Sequence, residues 1–215
     1  MAKAKTHGSF PLVLSAPSGG GKTAIRRALL RCDKRFRFSV TCTTRPRRPG
    51  EKEGRDYYFV KPDRFAAMRR NGGLLEWARV HGNMYGTPAR PVERLLEKGL
   101  MPVMTVDIKG ARAVRRSFPG AVTVFLLPPD LKTLVKRLKR RGESEDGIKV
   151  RLATARTELK AAPLFDYLVV NDKLEDAVEA IVKIADAEAA RPRFRRELVE
   201  RFGRELRGFT PHFGR

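Results

Sequence analysis

The chain has 215 residues, of which 41% are apolar, a size that suits one large domain or one core with small inserted subdomains. No apolar stretch is long enough to span a membrane, and the N-terminal residues lack the apolar segment of a secretory signal, so we expect a cytoplasmic protein without a membrane partner. Lysine and arginine number 46 against 24 aspartates and glutamates, and the resulting charge of +22 indicates acidic partners. Charge alone leaves nucleic acid and small phosphorylated substrates equally open. Cys32 and Cys42 form no C-x-x-C pair, which predicts two reduced structural thiols.

Residues 11–30, PLVLSAPSGGGKTAIRRALL, predict a strand, a glycine loop and a helix in succession. The apolar run at 12–14 is typical of a strand buried inside a parallel sheet. Three consecutive glycines allow backbone N–H groups to converge on an anion, and the helix that follows adds the positive end of its dipole. Lys22 can reach the β- and γ-phosphates of a nucleotide, and the Thr23 hydroxyl can ligate Mg²⁺.

This stretch matches the P-loop pattern G-x-x-x-x-G-K-[ST], except that Ala16 replaces the first glycine. A plain flexible loop before a helix is the alternative, and the order of strand, GGGKT and amphipathic helix argues against it. The motif predicts a site for a nucleoside triphosphate with Mg²⁺, and it says nothing about a second substrate. Its predicted binding residues are Ala16, Pro17, Ser18, Gly19, Gly20, Gly21, Lys22 and Thr23.

The rest of the chain alternates predicted strands and helices. The patterns predict strands at 36–43, 56–60, 74–80, 101–107, 121–127 and 167–171. They predict helices at 62–70, 88–98, 108–117, 148–161 and 174–190, with a further helix that Asp130 caps and residues 142–147 end. This order predicts an α/β fold with a mostly parallel sheet flanked by helices, into which residues 38–90 insert a β-rich subdomain.

The C-terminal residues have a different composition. From Arg191 onward arginines far outnumber acidic residues, and the apolar side chains have helical spacing. We therefore predict a basic amphipathic helix with a loose end at 208–215. Two interpretations stay open, since this helix can pack on the core or form an appendage that binds RNA or a protein partner.

A set of motifs follows the glycine loop in a characteristic order. They are SAPSGGGKT at 15–23, SVTCTTRPRRPGEKEGRDYYFV at 39–60, LLEWARVHGNMYGTP at 74–88, VDIKG at 106–110, RLKRRG at 137–142, VRLATARTEL at 150–159 and VVND at 169–172. Together they resemble the guanylate kinases, P-loop nucleoside monophosphate kinases that phosphorylate GMP with ATP. The resemblance implies a kinase domain at 11–187, with a GMP-binding subdomain at 38–90, a helical lid at 130–161 and a basic extension at 188–215.

The resemblance also implies roles for individual side chains. Guanine presents donors at N1 and N2 and an acceptor at O6, which a carboxylate and hydroxyls can satisfy. The residues implied for GMP, and by extension dGMP, are Thr41, Arg45, Arg48, Tyr57, Glu76, Tyr85, Thr87 and Asp107. Those implied for catalysis are Lys22, Arg45, Asp107, Arg137, Arg141 and Arg151, with Thr23 on the metal and Asn171 and Asp172 near the adenine of ATP. Without the resemblance, Glu76 also fits a half-exposed strand carboxylate, and the lid arginines fit a solvated basic face.

The expected function is therefore transfer of the γ-phosphoryl group of ATP to GMP. One alternative is a non-catalytic guanylate-kinase-like binding module, a class that characteristically loses the P-loop lysine or the lid arginines. Another is a kinase for a sugar phosphate, against which the guanine set of Thr41, Glu76 and Thr87 argues. The chain departs from the family at Thr105, where an aspartate is frequent. The sequence leaves the oligomeric state open.

Overall fold

A computed structural model of the protein describes residues 8–80 and 82–208, which form two β-sheets and their flanking helices. The strands are β1 (Leu12–Ser15), β2 (Phe36–Phe38), β3 (Cys42–Thr43), β4 (Tyr58–Phe59), β5 (Leu74–Val80), β6 (Asn83–Pro88), β7 (Met101–Thr105), β8 (Val122–Leu127) and β9 (Tyr167–Val170). The α-helices are α1 (Lys22–Cys32), α2 (Pro62–Arg70), α3 (Ala89–Glu97), α4 (Ile108–Ser117), α5 (Leu131–Lys139), α6 (Glu145–Leu159), α7 (Leu174–Ala189) and α8 (Arg196–Arg207). Short 3₁₀ turns lie at Ala162–Leu164 and Pro192–Phe194.

The larger sheet has the order β2-β7-β1-β8-β9, and every neighbouring pair in it is parallel. Strand β1 lies at its centre. The predicted α/β fold with a mostly parallel sheet is confirmed. Because loops at the carboxyl ends of parallel strands meet at one edge, the glycine loop after β1 opens at the middle of that edge.

Helices cover β1 on both faces. Leu12 and Leu14 belong to one buried cluster with Ile25 of α1, whereas Val13 belongs to a second cluster with Val114 of α4. Alternate side chains of a strand point to opposite faces, so a strand covered on both faces is apolar throughout. This packing fixes the backbone from which the glycine loop departs.

The smaller sheet has the order β4-β3-β6-β5 and corrects the prediction of one strand over 36–43. Phe36–Phe38 pairs with β7 in the large sheet, whereas Cys42–Thr43 pairs with β4 and β6 in the small one. A β-branched and aromatic run does not show where a chain changes its partner strand. Strand β6 was absent from the prediction because its sequence, NMYGTP, contains asparagine, glycine and proline, which are rare in strands.

Helix caps explain where prediction and structure agree at the boundaries. The Asp130 carboxylate accepts from the Thr133 N–H at 2.6 Å, as predicted, and Gly99 has the left-handed φ of 71° expected after α3. Helix α6 begins earlier than position 148, because Ser144 Oγ accepts from the Gly147 N–H at 3.1 Å and caps it. The prediction for α6 missed this serine cap.

The C-terminal segment divides into a packed part and an exposed part. The Phe194 ring lies 5.0 Å from that of Phe10, centroid to centroid. In α8, Val199, Phe202 and Leu206 are 62%, 59% and 58% exposed. The interpretation that this helix packs on the core is therefore wrong for α8 and right only for the turn before it. The predicted loose end lies largely outside the described residues.

The structure describes both cysteines as free thiols, Cys32 exposed and Cys42 buried. The Cys42 thiol donates to the Gly86 carbonyl at 3.2 Å. Among the helices of residues 8–80 and 82–208, none is long and apolar enough to cross a membrane.

Candidate active site

The glycine loop between β1 and α1 has a backbone that only glycine adopts easily. Gly19 and Gly21 have φ of 89° and 96°, and the Gly20 N–H donates to the Pro17 carbonyl at 2.8 Å. A Cβ on Gly19 would lie 2.8 Å from Leu134, and one on Gly21 would collide with the Asn171 amide. The loop is thus a tight turn closed by α5 and by the residue after β9.

Lys22 is the first residue of α1, and its ammonium curls back over the loop. The Nζ donates to the Ala16 carbonyl at 2.6 Å. Burial lowers the pKa of Lys22, while the negative charges of Glu158 and Asp107 oppose that shift. A half-buried cation in this position is poised for an anionic ligand. Thr23, in the next position, is exposed on the first turn of α1.

Asn171, the residue after β9, and Arg137 of α5 support the glycine loop. The Asn171 amide donates to the Gly20 carbonyl at 2.9 Å, and Arg137 Nη2 donates to the carbonyl of Asn171 at 2.8 Å and that of Asp172 at 3.3 Å. Arg137 Nη1 is buried without a hydrogen-bond partner among the described residues. It lies 4.0 Å from where a Cβ on Gly21 would stand, so a donor is free beside the loop.

These features fit a nucleoside triphosphate with Mg²⁺. The loop offers glycine backbone, a lysine and an unpaired guanidinium nitrogen to phosphate oxygens. No group of three or more histidine, cysteine, aspartate or glutamate side chains that could hold a metal occurs in the described part of the chain. Mg²⁺ commonly binds through few protein ligands and the substrate phosphates, which Thr23 and a triphosphate would supply.

A second cavity, of about 270 Å³, lies between the two sheets. It is lined by Arg26, Phe38, Thr41, Asp56, Tyr57, Glu76, Ala78, Tyr85, Thr105, Val106 and Asp107. The structure thus brings together Thr41, Tyr57, Glu76, Tyr85 and Asp107, which the sequence predicted as one group. A larger groove of about 580 Å³ between α1 and α7 contains none of the predicted residues.

Glu76 and Thr87 form a buried pair on adjacent strands of the small sheet. The Thr87 hydroxyl donates to Glu76 Oε1 at 2.6 Å, across the register of β5 and β6. Glu76 is 8% exposed, so the alternative of a half-exposed strand carboxylate is wrong. Burial raises the pKa of Glu76, the charge of Asp107 raises it further, and the bond from Thr87 opposes both.

Asp107 connects the two parts of the site. Its Oδ1 accepts from the Gly110 N–H at 2.7 Å and caps α4, which is why β7 ends before it. A Cβ on Gly110 would lie 3.3 Å from Glu76 Oε2 and 3.4 Å from Asp107 Oδ1, so both carboxylates face the first turn of α4. The negative charge of Asp107 also raises the pKa of Lys22, against the larger effect of burial. The positive end of α4 favours this concentration of negative charge.

Arg45 lies beside the cavity with its guanidinium already held. Its Nη2 donates to Glu51 Oε1 at 2.7 Å, and its Cζ lies 5.4 Å from the centroid of the Tyr57 ring. The Glu51 carboxylate holds the pKa of Arg45 above its usual range. Arg48 is exposed, its backbone N–H donates to Glu51 Oε2 at 2.8 Å, and its carbonyl accepts from the Glu51 N–H at 3.2 Å. Glu51 therefore binds both arginines of the loop to which it belongs.

The predicted lid arginines occupy different environments. Arg137 lies against the glycine loop, and the positive charge of Arg141 lowers the pKa of Lys22. Arg151 pairs with Glu143 at 3.1 Å, and its positive charge lowers the pKa of Glu158, the carboxylate that also interacts with Lys22, against the larger effect of burial. Its placement at the transferring phosphate stays a prediction.

Two charged residues near the site were missed from the sequence. Arg26 lines the second cavity. The negative charge of Glu158, in α6, opposes the lowering of the Lys22 pKa, and Glu158 Oε2 is buried without a hydrogen-bond partner among the described residues. Arg26 follows Lys22 by four positions, so helical spacing could have placed both on one face of α1. Glu158 lacked such a signal, because its contact depends on how α6 packs.

A glycine loop with Lys22 and Thr23, at the carboxyl edge of a parallel sheet, defines an α/β P-loop protein. A family model described as "Guanylate kinase" matches residues 8–188. "Guanylate kinase" of Thermotoga maritima is 41% identical, with 92% of this chain and 96% of the relative covered. "Guanylate kinase" of Rhizobium etli is 45% identical, with 93% and 91% covered. The chain belongs to the guanylate kinase family.

A solved structure is similar as well. The crystal structure of guanylate kinase from Anaplasma phagocytophilum is 33% identical and has a TM-score of 0.70, with 90% of this chain and 94% of that chain covered. The predicted family is confirmed, and with it a nucleoside monophosphate kinase. The comparisons give no support to the non-catalytic binding module.

Proposed function

We propose that the protein transfers the γ-phosphoryl group of ATP to GMP and releases ADP and GDP. The observation that carries this proposal is the buried pair of Glu76 and Thr87, joined at 2.6 Å in the cavity that Asp107 connects to the P-loop. A P-loop explains the donor nucleotide, and the pair explains why the acceptor is guanine.

Guanine recognition follows from the protonation of the base. An ionised Glu76 accepts from the N1 and N2 donors, with Asp107 as its neighbour, and the Thr41 hydroxyl is available to O6. The Thr87 hydroxyl, whose proton goes to Glu76 Oε1, holds the carboxylate in place beneath the base. Adenine would set the carboxylate against a ring acceptor and leave a buried charge unpaired, which disfavours it strongly. The same contacts suit dGMP, because none of them uses the sugar.

Arg45, Arg48, Tyr57 and Tyr85 are proposed to hold the GMP phosphate. Two guanidinium forks suit a phosphate monoester, and the two tyrosine rings meet edge to face at 5.9 Å. Glu51 fixes Arg45 at 2.7 Å, so this part of the site is ordered before the substrate arrives. Preorganised donors give up little freedom when the phosphate binds.

The P-loop from Ala16 to Gly21, with Lys22, is proposed to cradle the phosphates of ATP, with Asn171 and Asp172 on its adenine side. Thr23 would hold Mg²⁺, which when bound offsets charge on the phosphate oxygens. In the transfer, a phosphate oxygen of GMP attacks the γ-phosphorus while the bond from that phosphorus to the bridging oxygen of ADP breaks. Lys22, Arg137, Arg141 and Arg151 are proposed to stabilise the charge that spreads over the transferring group. Lid closure would exclude water from the site.

The proposal is tested by Lys22→Ala. Turnover should fall by at least about 100-fold, because removal of one preorganised charge at a transition state costs about 3 kcal/mol or more. Thermal stability should be retained, since among the described residues the Lys22 side chain donates only to the Ala16 carbonyl, and burial lowers the pKa of Lys22. Lys98→Ala, at an exposed lysine after α3, is the control. Normal ADP release by the Lys22→Ala variant would contradict the proposal.

A further inference from the structure

Arg26 connects the two nucleotide sites through a single helix. It lies one turn after Lys22 on α1 and lines the same cavity as Tyr57 and Glu76. Residues four apart share one face of a helix, about 6 Å along its axis. The helix that starts with the P-loop lysine therefore also presents a guanidinium to the acceptor cavity.

The Arg26 guanidinium contacts an aromatic ring, but one of its hydrogen-bond donors lacks a partner among the described residues. Its Cζ lies 4.0 Å from the centroid of the Phe38 ring, a cation–π contact that restrains the side chain. Its Nε is buried and has no hydrogen-bond partner within the described ranges. Buried guanidinium donors are almost always paired, so this geometry calls for an acceptor that the described residues do not supply.

No carboxylate in the described part of the chain forms an ion pair with Arg26. Asp56, which lines the same cavity, accepts instead from the Lys52 N–H at 2.8 Å and from Arg55 Nη2 at 2.8 Å. Burial, followed by the charge of Arg27, lowers the pKa of Arg26, while Tyr57 and Asp56 oppose this. A ligand that brings both negative charge and acceptor oxygens would satisfy the group.

We propose that Arg26 is a further substrate-binding residue, which donates hydrogen bonds to the phosphate of GMP next to Tyr57. This inference rests on the proposed function. A guanidinium fork matches phosphate oxygens, whereas a ribose hydroxyl would leave its charge uncompensated. The base already has its own partners in Glu76 and Thr87. A phosphate held by Arg26 would also lie within about one helical turn of Lys22, where transfer from ATP takes place.

The test compares GMP with guanosine, which lacks only the phosphate. Arg26→Met retains an unbranched apolar stem against Phe38 but removes the charge and the donors. Calorimetric titration should show GMP binding weakened about 10- to 100-fold, the usual effect of losing a charged hydrogen bond, with guanosine binding unchanged. Arg27→Met, at the exposed neighbour on α1, should leave both unchanged.

Equal weakening of GMP and guanosine, or no weakening, would overturn the assignment, since either result means that Arg26 does not contact the phosphate. Arg26→Lys serves if the methionine variant does not fold, because it retains the charge and loses the fork. It should weaken GMP binding and leave guanosine binding unchanged, and equal effects on the two would again overturn the assignment. Turnover of the wild-type protein separates the two proposals. If it does not phosphorylate GMP, the proposed function is contradicted. If it does, and the Arg26 variants keep the wild-type ratio of GMP affinity to guanosine affinity, only the role of Arg26 is contradicted.

Discussion

Glu76 is a buried carboxylate whose charged form the ligand-free protein stabilises poorly. Thr87 gives it one hydrogen bond, while burial and Asp107 both raise its pKa. Guanine would bring two donors to the same oxygens. Glu76 therefore selects the base, but its buried charge lowers the stability of the ligand-free protein. Such a conflict between stability and binding is common at functional sites.

Glu76→Gln should separate these two effects. The folded pKa of Glu76 lies above its unfolded value, so the folded state holds the proton more tightly and stability falls as pH rises through this interval. At neutral pH the variant should therefore melt no lower than the wild type, and its advantage should vanish once the pH falls below the unfolded pKa of about 4.3. The KM for GMP should rise about tenfold or more, because a charge-assisted bond to guanine is lost.

Melting temperature against pH without ligand, and KM at neutral pH, measure the two effects. Glu97→Gln, at an exposed glutamate of α3, should change neither. A Glu76→Gln variant that melts well below the wild type at neutral pH would contradict this description of the site.

Gly21 tests the shape of the phosphate loop. Gly21→Ala places a Cβ on a residue with φ of 96° and drives it into the Asn171 amide. Left-handed strain alone costs about 1–2 kcal/mol, so the KM for ATP should rise at least about tenfold and the melting temperature should fall. Gly203→Ala in α8 is the matched control, since its Cβ would meet only Arg207 Nη1 at 3.7 Å. An unchanged KM for ATP in Gly21→Ala would show that the loop does not bind the phosphates in this conformation.

At the scale of elements, the C-terminal segment has a packed part and an exposed part that truncation can remove separately. Arg193 donates to the buried Glu188 at 2.8 Å, and Phe194 packs on Phe10, so the turn before α8 belongs to the core. The apolar face of α8 is exposed. RNA or partner binding by this segment stays a prediction.

Removing residues 196–215 should leave turnover and melting temperature close to those of the full chain. Removing residues 191–215 should lower stability by about 2 kcal/mol or more, because the space filled by Phe194 is emptied and the buried Glu188 loses both arginine partners, Arg191 and Arg193. Urea unfolding of the two truncated proteins measures the difference. Equal stability of the two would show that the turn contributes nothing, and loss of turnover on the shorter cut would assign α8 to the active site.

The sequence predicted elements wherever one local pattern specified them. The helix over 62–70 and the strand before the glycine loop were found because proline, glycine and apolar periodicity mark them. The change of sheet between Phe38 and Cys42 was not, because residues with high strand propensity continue across it. Pairing between distant strands depends on tertiary contacts that no local pattern records.

At the scale of the whole molecule, the fold brings the two nucleotide sites together. Lys22 starts the helix after the central strand, and Asp107 ends the turn after the adjacent strand. The small sheet places Glu76 against that same turn. The family resemblance grouped Lys22, Glu76 and Asp107 in one site. Arg26 was not predicted to belong to that site, because an arginine on a helix ordinarily faces water.

A coupled assay of ADP release, with Mg²⁺ and ATP against GMP, AMP, CMP and UMP, tests the proposed reaction most directly. Strong activity with GMP alone is the predicted result, because only guanine satisfies the ionised Glu76 beside Thr87. No activity with any of the four, from a folded protein that still binds GMP, would contradict the proposed transfer and favour a binding module. Equal activity with AMP would contradict the assignment of the cavity to guanine.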